Sequence, residues 1–214
     1  LTPSALVVEM EVEQYWVAFK KGVQQVLSQS GVNADQIKTI GLSNQGETLI
    51  CVDEKGAPLR NAIVWMDSRA QEEAEDLAKQ FTDADVYGIT GQVSIVPTWP
   101  AAKVEWIRRH EPDVFAKTAK FLLIEDYFIY RMTGSHAAEG SLLCSTVYWN
   151  IATKRYWPEM LAALGISEER LPPIYESGEV VGSLKPDVAK ELGLSVKCVV
   201  CTGLLDQVAG AIGV

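Results

Sequence analysis

A single α/β domain is what the sequence predicts, on three observations. Short apolar runs with β-branched character alternate with amphipathic helical stretches. Polar clusters follow three of those runs, the position at which open α/β sheets hold ligands. The 214 residues are enough to bury one sizeable core, and no repeat, low-complexity tract or linker divides them.

The elements follow in order. Trp16, Phe19, Val23, Val26 and Leu27 recur at helical steps, and Gly31 supplies a stop. Ile37–Ser43, Thr48–Val52 and Asn61–Trp65 read as three strands, spaced closely enough to predict a meander. Ser68 is placed to cap a helix reaching Phe81, with Ala74, Leu77 and Phe81 inward. The acidic run Glu72–Asp76 forms its outer face near the positive end of the helix dipole. Ala101–His110 is a further helix, Phe121–Ile124 a buried strand, and Asp126–Met132 a helix closed by Thr133-Gly134. His136–Tyr156 has no clean period. Helices at Pro158–Leu164 and Pro186–Leu192 stop at Gly165 and Gly193, with a capped turn at Ser167–Arg170 between them. A last strand, Cys198–Thr202, leads through Gly203-Leu-Leu-Asp206 into a small-residue helix, Gln207–Ile212.

Composition excludes several functions. With 28 Asp+Glu against 19 Lys+Arg, the net charge of −9 disfavours nucleic acid and anionic membrane as partners. No apolar run nears the roughly 18 residues of a bilayer span, and no signal peptide opens the chain. Cys51, Cys144, Cys198 and Cys201 form no disulfide framework. Cys198 and Cys201 lie on one short strand, where positions three apart face opposite ways. Core thiols are therefore expected, with no metal site, and reduced cysteines without a leader predict a cytoplasmic location. His110 and His136, the only histidines, read as solvated or capping groups, which leaves any chemistry to carboxylates.

Three clusters carry that chemistry: Ser43-Asn-Gln-Gly-Glu47, Trp65-Met-Asp-Ser-Arg69 and Gly203-Leu-Leu-Asp-Gln207. Each also has a plain structural reading. Asp67 and Arg69 suit a local ion pair and helix cap, Asp206 an N-cap, and Gln45 and Glu47 a loop. Taken together they suit a polyhydroxylated ligand: Trp65 offers a flat apolar face, and the amides and carboxylates match hydroxyls.

Gly41-Leu-Ser-Asn-Gln-Gly-Glu-Thr48 followed by Asn61-Ala-Ile-Val-Trp-Met-Asp-Ser-Arg69 resembles the FGGY family of carbohydrate kinases, whose members include glycerol kinase and xylulokinase. The likeness continues in order through Glu125–Gly134, Leu171-Pro-Pro173, Ser177–Gly182 and Gly203–Gln207. It implies an actin-like, ribonuclease-H-like fold and ATP-dependent phosphorylation of a sugar or polyol. By resemblance Asp206 falls at the general base. Gln45, Gly46, Glu47, Trp65, Thr98, Trp99 and Gln207 fall at the substrate, and Asp67 and Arg69 support them. ATP and Mg2+ are the implied cofactors, bound mainly by parts outside this chain.

The sequence also departs from the family pattern. Gly46 stands where glycerol kinase has Arg, and xylulokinase's Met-His pair is absent, so a larger or differently substituted substrate is expected. Thr98-Trp99 replaces an aromatic hydroxyl. Leu204-Leu205 brings bulk before the base, where it would narrow the approach of the phosphates. The family's Asp-x-Gly-Thr hairpin is missing. The expectation is therefore residues 1–214 as the sugar-binding N-terminal domain, cut at both ends, without its leading strands or the nucleotide-binding domain. A bared sheet edge would favour self-association as a homodimer. A non-catalytic sugar- or partner-binding remnant is the alternative, and an actin-like ATPase or regulator is a third.

Overall fold

A computed structural model describes residues 6–214; the expected chain opening at Leu1–Ser4 lies outside the described residues. Where the sequence predicts near-direct passage into a helix, a strand comes first, β1 (Glu9–Met10). Helix α1 (Val12–Ser30) ends at Gly31, whose φ of 67° is the left-handed conformation that glycine adopts at helix ends. β2 (Thr39–Ile40), β3 (Ser43–Asn44), β4 (Ile50–Val52) and β5 (Ala62–Ile63) follow, so the first expected strand is broken at Gly41-Leu42.

The helical stretch comprises α2 (Gln71–Gln80), α3 (Asp83–Thr90), α4 (Pro100–His110) and α5 (Pro112–Lys117), then β6 (Lys120–Leu122) and α6 (Ile124–Thr133). Ser68 does not cap α2. Its N–H is given to Leu6, while Asp67 accepts the N–H of Arg69, and this turn delays the helix to Gln71. Helix α3 was missed, although its signals are local: a Thr82–Asp85 capping box and a left-handed Gly91.

The aperiodic segment holds β7 (Ala138–Glu139), α7 (Gly140–Leu143), β8 (Trp149–Asn150) and β9 (Arg155–Tyr156), each too short to show a period. Then come α8 (Pro158–Leu164), β10 (Ile174–Tyr175), β11 (Val180–Ser183), α9 (Pro186–Leu192), β12 (Val199–Cys201), β13 (Leu204–Leu205) and α10 (Asp206–Ile212).

The strands do not form the expected meander. β2 pairs in parallel with β12, and β3 in parallel with β13. β4 is antiparallel to β6, and β5 to β1. Of the expected neighbours, only Leu49 and Ile63 meet, in one antiparallel bridge. Alternation along the strands then divides the core. Leu49, Cys51, Ile63 and Phe121 face a layer including α2, α4 and α8; Ile50, Val52, Ala62 and Leu122 face a layer including α1, α6 and α9. No helix among the described residues is long and apolar enough to cross a membrane.

Gly203 is where the paired segments approach most closely. A Cβ there would lie 1.7 Å from the carbonyl oxygen of Leu42, which accepts the N–H of Leu204 at 3.0 Å. Gly203→Ala must push the two segments apart, and a loss of about 3 kcal/mol in urea unfolding is expected.

All four cysteines are free, with Cys51 and Cys198 buried in the core; burial pushes the Cys51 thiol up to about 12. His110 is exposed at the last residue of α4, as expected, and His136 is half-buried. His110 stacks on Trp106 with its Nε2 3.0 Å from Glu73, and His136 stacks on Tyr130.

Candidate functional site

Parallel pairing of β3 with β13 carries the chain out of both strands on one side, and the residues that follow meet there. A cavity of about 160 Å³ is lined by Gln45, Gly46, Glu47, Trp65, Leu205, Asp206 and Gln207. Five of the expected substrate residues and the expected base thus share one concavity. Thr98 and Trp99 are not among its lining. Trp99 stands at the N-cap of α4, donates its indole N–H to Ser94 at 3.1 Å and packs on the core.

Each lining group is held by a partner. Gln45 donates from Nε2 to the Thr48 hydroxyl at 3.1 Å and lies 3.4 Å from Tyr15 Oη. That Thr48 oxygen also accepts the backbone N–H of Trp65 at 3.0 Å, so one buried threonine joins the two walls. Glu47 has a φ of 60°, a left-handed backbone that few non-glycine residues adopt. Burial raises its pKa and Asp206 adds to the rise, while the Ser145 hydroxyl and Lys103 pull it back. Asp206 is the exposed first residue of α10 and does not serve as its N-cap; Leu205 holds that position. Its Oδ1 accepts the N–H of Gln207 at 2.8 Å.

Lys103 is the principal residue that sequence reasoning missed. It has no exposed surface, and its Nζ donates to the carbonyls of Glu47 (2.9 Å), Val64 (3.0 Å) and Trp65 (3.4 Å). One ammonium therefore fixes the backbone on both sides of the cavity. Burial draws its pKa down to about 7, against Asp67 and then Glu47, which raise it. Its sequence context offers little signal of this, because α4 also carries Glu105, Arg108, Arg109 and His110 and a lysine among them reads as solvated.

Asp67 and Arg69 stand behind the site. Asp67 is fully buried; its Oδ2 accepts the N–H of Val8 at 2.5 Å and Arg69 Nη2 at 2.7 Å. Arg69 reaches Glu9 at 2.8 Å, and Glu9 also binds Arg60, so the ion network secures the turn that follows β5 and carries Trp65. The space expected at Gly46 is filled. A Cβ on that buried glycine would lie 2.9 Å from Leu205 Cδ1 and 3.2 Å from Ser145 Oγ. The cavity formed by this domain is about 160 Å³, below the roughly 300–1,000 Å³ typical of ligand pockets.

Behind the site, burial raises Glu125 to about 8 and Asp126 to about 7, against backbone hydrogen bonds from Gly203 and Leu123 that lower them. Folded pKa values above the unfolded ones mean stability that is full in acid and is lost as pH rises through the folded values. From about pH 5 to about pH 7, before Lys103 loses its proton, urea unfolding should show stability falling with pH, with a smaller slope in Glu125→Gln.

Chemically the lining offers carboxylate and amide acceptors and one indole face, with no Lys or Arg among it. Trp65 is 42% exposed and free to cover a ligand. Fold and site define an α/β domain with a small cavity of hydrogen-bonding groups beside an exposed carboxylate. The profile of the FGGY family of carbohydrate kinases, N-terminal domain, matches residues 1–213, and the chain belongs to that family. It is 35% identical to the xylulose kinase of Escherichia coli (strain K12) over 213 residues, 99% of this chain and 43% of that one. It is 34% identical to the glycerol kinase of Thermococcus gammatolerans, over 85% of this chain and 37% of that one. The crystal structure of xylulose kinase from Rhodospirillum rubrum superposes with a TM-score of 0.93 at 23% identity, covering 99% of this chain and 43% of that one. The fold is that of the actin-like sugar kinases, and the chain spans less than half the length of these relatives.

Proposed function

We propose that the whole protein is an ATP-dependent kinase of a small neutral sugar or polyol, with this domain holding the acceptor and Asp206 serving as general base. The observation that carries this reading is the convergence of Glu47, Trp65 and Asp206, from three distant segments, on one cavity. Glu47 and Asp206 accept hydrogen bonds from ligand hydroxyls, Trp65 covers the C–H face, and Gln45 and Gln207 set orientation. Asp206 orients the reacting hydroxyl and takes its proton; in phosphoryl transfer such positioning is most of the protein's task. Two carboxylates with no cation in the lining disfavour an anionic acceptor, which supports a neutral one.

The cavity lining has no cation, and no group of three His, Cys, Asp or Glu able to hold a metal ion occurs among the described residues. The test is thermal stability of the full-length protein against polyols, ketoses and aldonates, followed by an ATP-dependent phosphorylation assay on any that bind. Neutral ligands should raise Tm and be phosphorylated. A folded protein that phosphorylates none of them would overturn the reading.

A further inference from the structure

The segment entering Asp206 rests on two buried carboxylates that do not line the cavity. Glu125, at the start of α6, accepts the Gly203 N–H at Oε1 (2.8 Å) and the Asn44 amide at Oε2 (3.1 Å). It therefore binds both the strand that leads to Glu47 and the one that leads to Asp206. Glu139 accepts the Ser141 hydroxyl at 2.6 Å, and that hydroxyl oxygen accepts the Leu205 N–H at 2.9 Å. The other Glu139 oxygen accepts the Ser177 hydroxyl at 2.7 Å. Between them, the Leu204 N–H goes to Leu42.

Every backbone N–H from 203 to 205 thus has a defined partner, and two of the three depend on carboxylates with 0% exposure. Two buried carboxylates carry a desolvation cost that a serine or a backbone carbonyl would avoid. What they provide instead is a hydrogen-bond acceptor of fixed direction, directly or through one serine. The buried Oδ1 of Asn44 has no partner, so with the amide turned it can accept a hydrogen bond from a protonated Glu125 and keep the join.

We propose that Glu125 and Glu139 are positioning residues that set Asp206 against Glu47 and the bound hydroxyl without touching either substrate. The proposal rests on Asp206 being the base. A displacement of about 1 Å at a reacting group can cost about 100-fold in rate. In the full-length protein, Glu125→Ala and Ser141→Ala should each lower kcat about 10- to 100-fold, with the acceptor KM within about threefold. Glu125→Gln, which keeps an acceptor for Gly203, should recover most of the loss. Placed on Asp206→Asn, either substitution should change residual turnover less than about twofold, because the group being positioned is gone. Amides 203–207 should exchange faster in both variants. Wild-type kcat in both, with Asp206→Asn inactive, would overturn the proposal, as would equal losses with and without Asp206. If Asp206→Asn alone turns over normally, the base assignment falls and the positioning role falls with it. Should Glu125→Ala not fold, Ser141→Ala, at a half-buried residue, carries the test.

Discussion

Asp206→Asn in the full-length protein should lower kcat by about 10³-fold, within the usual range for loss of a general base, and leave acceptor KM within a fewfold. The substitution keeps the size of the side chain and the Oδ1 that accepts the Gln207 N–H, so α10 should form as before. It removes the group that receives the hydroxyl proton. Because Asp206 is exposed and, among the described residues, its carboxylate accepts only the adjacent Gln207 N–H, little stability depends on it. Steady-state kinetics with circular dichroism would check both halves of the expectation. A variant with normal turnover removes Asp206 from the mechanism.

Lys103→Met should have the largest effect of any conservative change near the site. Methionine keeps most of the volume and deletes the ammonium, leaving the carbonyls of Glu47, Val64 and Trp65 without their shared donor. Glu47 and Asp67 lose the cation facing them as well. Loss of one partner of a buried charged set typically costs about 3–5 kcal/mol, offset in part by no longer desolvating the ammonium. Denaturant unfolding should show a loss near 3 kcal/mol. Acceptor binding should weaken even where the variant is folded, since the left-handed backbone at Glu47 loses its anchor. Unchanged stability and unchanged binding would mean that the site is held by other contacts.

Much of the fold was legible in the sequence. The bounds of α8 and α9 were read to the residue from Pro158 and Gly165 and from Pro186 and Gly193, because proline and glycine at helix ends act locally. The polar residues that line the cavity, Gln45, Glu47, Trp65, Asp206 and Gln207, were legible as clusters leaving apolar strands. Strand partners were not. Nothing in Thr39–Ile40 names Val199–Val200 as its neighbour, since pairing is settled by contacts across the chain. The same holds for the supporting groups. Lys103, Glu125 and Glu139 are charged residues of a kind that usually faces water, and their sequence neighbours do not reveal their burial.

The sequence by itself determined where helices start and stop, which faces are apolar and which strand ends carry polar groups, because those depend on residues a few positions apart. The tertiary structure alone decided that β3 lies beside β13, that Leu205 fills the room beside Gly46, and that one buried lysine fixes both Glu47 and Trp65. These are matters of packing and of pairing buried charge, and they exist only once distant segments have excluded water between them.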